Sequence, residues 1–123
     1  MATIVSETAT VTSASPGLLV IKHSQIWSDG TDFGGEFVLD AASAVVLAER
    51  IEDAGGEAEV AVPPDKFWVK LGGSEWDPII NVQNERDAAA PRGGFCSLGV
   101  REATALEIAA QLRAFGAGAK NPR

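Results

Sequence analysis

The chain is poor in the residues that most often carry chemistry. Among 123 residues there is one cysteine, Cys96, and one histidine, His23. A single cysteine excludes an intramolecular disulfide and fits a reducing compartment. One His and one Cys cannot by themselves complete a structural zinc site. Long hydrophobic runs are missing too. The longest strongly apolar stretch, Leu18 to Ile21, is far short of a bilayer span. Met1 to Val5 is not a basic region leading into a long apolar one, so no signal peptide is expected. The expectation is a cytoplasmic protein of one domain, residues 1–123, with no membrane association, metal or cofactor. That length can bury a core large enough to fold without staples.

Basic residues are scarce in one half only. Residues 1–59 carry ten Asp or Glu against Lys22 and Arg50, a balance of −8. Residues 60–123 carry seven acids against eight bases, a balance of +1, and the whole chain stands at −7. Such an acidic field disfavours phosphate backbones and favours basic partners. An acidic surface kept for solubility is the competing explanation.

What the chain does contain is a pattern written twice. Displaced by 59 positions without a gap, Gly34-Gly35 falls on Gly93-Gly94, Leu39 on Leu98, Ala44 on Ala103, Leu47 on Leu106, Ile21 on Ile80 and Ser15 on Ser74. Seven identities over residues 8–56 are few, but the order of elements matches as well. A constant offset is the usual mark of a tandem duplication. The first strands break the rule, because Val11 then falls on Lys70, and a slip of one residue turns every side chain to the other face.

Alternation of apolar and polar residues predicts strands over 3–13, 18–27, 36–39, 57–62, 66–71, 79–83 and 95–98. Asp40 is placed to cap a first helix reaching about Ala54, with Ala44, Leu47, Ile51 and Ala54 as its buried stripe and Gly55-Gly56 as its stop. Gly99 takes the corresponding cap position before a second helix reaching about Phe115, with Glu102 closing a capping box. That helix is expected to present Ala103, Ala105, Ala109 and Ala110 to its neighbours. Residues 84–92 read as a loop and 117–123 as a tail. The predicted fold is α+β: a largely antiparallel sheet from two tandem β-β-β-α repeats, about 8–56 and 67–115, related by a pseudo-two-fold, with both helices packed on one face. That order resembles, in topology alone, single-strand nucleic-acid binders of the Pur-alpha and Whirly kind. No motif matches, and the acidic half lacks their basic groove.

His23 falls on the apolar face of its strand, where a structural imidazole is the simpler reading than a general base. Cys96 reads as a small buried hydrophobe. Asp29, Asp32 and Glu36 surround a glycine-rich loop without the spacing of a calcium loop. Strands follow both Gly-Gly steps, so no helix terminus stands ready for phosphate. With no catalytic set, the leading expectation is a non-enzymatic interaction protein (an inhibitor, immunity-type or adaptor protein) docking a basic protein partner. Its contact residues are expected to be Glu49, Glu52, Asp53, Glu57, Glu59 and Trp68, with a homodimer as a further assembly. One alternative is a small-molecule-binding protein or enzyme with a pocket between the repeats near His23. The other is single-stranded nucleic-acid binding through Lys66, Lys70, Arg86 and Arg92.

Overall fold

The computed structural model of the chain describes residues 2–53, 59–74 and 77–120. Strands β1 (Ile4–Ser15), β2 (Leu18–Trp27) and β3 (Asp32–Asp40) form an antiparallel meander. A single 3-10 turn, Ala41–Ser43, leads into α1 (Ala44–Glu52). The chain then builds a second antiparallel sheet from β4 (Val60–Val62), β5 (Asp65–Ser74), β6 (Asp77–Arg86) and β7 (Gly94–Arg101), followed by α2 (Glu102–Lys120). The architecture is thus α+β, with two antiparallel sheets of three and four strands and two helices. The expected Gly55-Gly56 stop, the strand start at Glu57, and Trp76 lie outside the described residues. No helix among the described residues is long and apolar enough to cross a membrane.

The single sheet expected from the sequence is therefore two. The third strands, β3 and β7, do not pair with each other. One main core nevertheless joins the two sheets: Leu19, Ile21, Phe37 and Leu39 from the first meet Phe67, Val69, Ile80, Val82 and Val100 from the second, while Leu18, Val20 and Val38 form a small separate cluster. Both helices close over the main core, packed against each other. Phe37 and Phe67 stack across the junction, with centroids 6.5 Å apart.

The gap-free offset of 59 holds in β2 and β6 and at the ends of the strands before them, Ser15 and Ser74, and is lost elsewhere. Across β2–β3, Ile21 faces Phe37; across β6–β7, Ile80 faces Val100, which puts the third strands 63 apart. The buried stripe of α1 is Ala44, Leu47, Ala48 and Ile51, and that of α2 contains Ala105, Ile108, Ala109 and Leu112, a spacing of 61. Ala103 and Ala110 accordingly face solvent, against expectation, and so does Leu106. The phase slip of the first strands has a local cause. Pairing between β1 and β2 shifts between Ser13 and Ser15, a bulge that turns Ala9 and Val11 inward, as Phe67 and Val69 are in β5.

Three local expectations also change. Asp40 precedes the 3-10 turn in an extended conformation but makes no side-chain cap bond, because its carboxylate is bonded elsewhere. Gly99 lies within β7, and α2 starts at Glu102. Residues 84–86 belong to β6 rather than to a loop, and α2 continues to Lys120 where a tail was expected.

Candidate functional site

Each sheet grips the free edge of the other sheet's third strand by the same device. Gln25 Nε2 donates to Gly99 O at 2.5 Å and to Glu7 Oε2 at 2.6 Å, while Glu7 Oε1 accepts the Arg101 N–H at 3.0 Å. In the second sheet, Asn84 Nδ2 donates to Val38 O at 2.8 Å and to Asp65 Oδ1 at 3.0 Å, while Asp65 Oδ2 accepts the Asp40 N–H at 2.9 Å. An amide and a carboxylate on neighbouring strands thus capture a carbonyl and, two residues on, an N–H of the opposing edge. These backbone groups would otherwise be orphaned at a buried edge. The Cys96 thiol adds to the second clamp: Sγ accepts the Val38 N–H at 3.5 Å and donates to Val38 O at 3.7 Å.

The second clamp is also charged. Asp65 and Arg86 side chains are fully buried and bonded at 2.5 Å, and Arg86 Nη2 reaches Asp40 Oδ1 at 3.0 Å and Pro91 O at 2.9 Å. Ser43 Oγ donates to Asp65 Oδ2 at 2.6 Å. Parity in the sequence carried a signal of this network. Asp65 alternates with Phe67 and Val69 on the core face, and Arg86 follows Val82 and Asn84 on the core face of β6. Reading 84–92 as a loop hid the second half of that pair. Arg86, expected as a nucleic-acid contact, cannot reach a phosphate from this position. Arg92 is paired with Glu36 at 2.7 Å, whereas Lys70 is exposed.

The expected docking acids divide into two groups. Glu52 receives Arg113 from α2 through both oxygens, at 2.9 and 2.5 Å, and this contact holds its carboxyl below the usual range. Glu59 lies 4.0 Å from Lys66, whose ammonium sits 5.8 Å from the ring centre of half-buried Trp68. Glu49 and Asp53 are exposed on the last turn of α1 and just beyond it, and Glu57 lies outside the described residues. The fold therefore brings Glu49, Glu52 and Asp53 together at one helix end, and sets Trp68 on β5 with Glu59 just before β4.

His23 sits on the inner face of the first sheet, opposite Ala9 and Gly35, with a buried Nδ1 that makes no hydrogen bond. Burial pushes its pKa below the usual value, with Glu7 pulling partly the other way. The Cys96 thiol is pushed up, chiefly by burial, so it is protonated at neutral pH. Among the described residues no cluster of three His, Cys, Asp or Glu could hold a metal ion.

Two cavities stand out among the described residues. The larger, about 660 Å³, lies beside the Pro63–Pro64 turn and Phe95, away from His23. The smaller, about 190 Å³, lies between the end of α1, the start of α2 and β6. In comparisons with known proteins, no family model and no curated sequence matches this chain.

Proposed function

We propose that this chain is a non-enzymatic interaction protein that docks a basic surface of another protein through its acidic half. One observation carries the reading: among the described residues, three arginines of the second half are paired with acids, whereas Glu49 and Asp53 of the first half remain exposed. Arg86 is bonded to Asp40 and Asp65, Arg92 to Glu36, and Arg113 to Glu52. Glu49 and Asp53 stay in solvent at the C-terminal end of α1, where the helix dipole makes negative charge unfavourable. A basic partner relieves that repulsion. The same pairing takes Arg86 and Arg92, two of the four cations expected at a nucleic-acid surface. We further infer that the halves are diverged copies of one β-β-β-α unit related by a pseudo-two-fold. The recurrence of the amide–carboxylate clamp in both sheets supports this.

The test uses Glu49→Gln/Asp53→Asn, which spares the bonded Glu52. The partner captured by the parent protein from its native host is purified, and association is followed over a salt series. The variant should fold at least as stably and associate several-fold more slowly at low salt, because charge steering acts chiefly on the on-rate. Unchanged association kinetics at low salt would overturn the reading.

A further inference from the structure

The smaller cavity lies beside these acids and is built as a socket. Its floor is apolar: Ile51 from α1, Ile80 from β6 and Ala105 from α2 are all buried. Its exposed lining is Glu52, Glu102 and Leu106. Among the described residues no Lys or Arg lines it. Leu106 is 47% exposed, and Leu71, cross-strand from Ile80, is 55% exposed, so the apolar surface continues outward from the cavity. Arg101, next to Glu102 in sequence, sends its guanidinium away to Ile4 O in the other sheet.

We propose that this socket receives one long cationic side chain, an arginine or lysine, from the basic protein partner. The inference rests on the acidic-docking reading and names its anchor. Arg and Lys carry an apolar stem beneath a charged head, which matches an apolar floor beneath a carboxylate rim. At about 190 Å³ the cavity is of single-side-chain size rather than that of a ligand pocket, which runs to roughly 300 Å³ or more. Glu102 opens α2, so the carboxylate rim is held by a helix start. Glu52 already receives Arg113, but each carboxylate oxygen has a second lone pair, so it can accept another donor. Binding energy at interfaces concentrates in a few well-packed pockets, and arginine is among the residues enriched there.

The test is an amide-resolved NMR titration of the full chain with N-acetylarginine methylamide, using its neutral citrulline counterpart as control. Saturable shifts are expected at residues 80 and 102–106, with dissociation on the order of millimolar for so small a probe. The citrulline compound should leave these residues unmoved. Glu102→Gln should weaken the arginine probe roughly tenfold. Leu106→Ala, at an exposed position that does not endanger folding, should weaken it several-fold. Absence of saturable shifts, equal shifts from citrulline, or unchanged affinity in Glu102→Gln would overturn the socket. A decalysine peptide titrated in parallel separates the two readings. If decalysine binds the Glu49–Asp53 end with steep salt dependence while the arginine probe leaves the socket untouched, the socket alone falls. If neither binds, the acidic-docking reading falls with it.

Discussion

Removing the Asp65 carboxylate leaves the Arg86 guanidinium buried with Asp40 as its remaining carboxylate partner among the described residues. Asp65→Asn should therefore destabilise the protein by about 3–5 kcal/mol, the usual cost of stranding half of a buried ion pair. Replacing both partners by apolar residues, Asp65→Leu with Arg86→Met, should recover part of that loss in urea unfolding. His23 gives a second residue-scale expectation, with a pH signature. Its folded pKa lies below the unfolded value of 6.5, so the unfolded chain takes up the proton first as the pH falls. The stability linked to His23 is present in full above pH 6.5 and is lost as the pH drops towards the folded pKa. Thermal unfolding measured from pH 7.5 to pH 5 should show a falling Tm that flattens in His23→Gln. The surface acids depressed by arginine contacts, Glu36 and Glu52, act below this window, as the pH falls through the unfolded value of 4.5.

The two helices approach closely because of one glycine. A Cβ built on Gly116 of α2 would collide with the Val45 side chain of α1. In an isolated helix, alanine would be favoured over glycine by about 1 kcal/mol. Here overpacking outweighs that gain, because Val45 is branched at Cβ and stiff at χ1. Gly116→Ala should cost about 1–3 kcal/mol in thermal unfolding, and Val45→Ala in the same chain should restore most of it. A second contact at this scale joins α2 to the outer edge of β1. Gln111 Oε1 accepts the Val11 N–H at 2.8 Å, and its Nε2 donates to Ala9 O at 3.3 Å. Of the element boundaries, β2 was legible throughout, since Leu18–Trp27 is bounded by a Pro-Gly turn and an Asp-Gly loop. The helix stripe of α2 was not. Alanine is abundant on every side of that helix, so composition alone did not mark which were buried: Ala105 and Ala109 are, as expected, and Ala103 and Ala110 are not.

At the scale of the whole molecule the halves are interdependent. Each supplies the side chains that satisfy the free strand edge of the other, and the core is continuous through both. Unfolding should accordingly be a single cooperative transition, with calorimetric and van't Hoff enthalpies equal. A fragment of residues 1–53 would expose its share of the core and the β3 edge, and should lack a cooperative thermal transition by circular dichroism. A cooperatively folded fragment would mean that the clamps join two independent units rather than complete one.

The sequence by itself determined what is local: β2, the two amphipathic helices, the glycine turns, the order of strands before helices, and the separation of charge between the halves. These follow from periodicity and composition within a few residues. Division into two sheets rather than one, and which acids stand free, were decided only by tertiary structure. Arg113 lies 61 positions from Glu52, and Asn84 lies 46 from the Val38 carbonyl that it holds. No local pattern records such distances, because the partners are brought together by burying one common core.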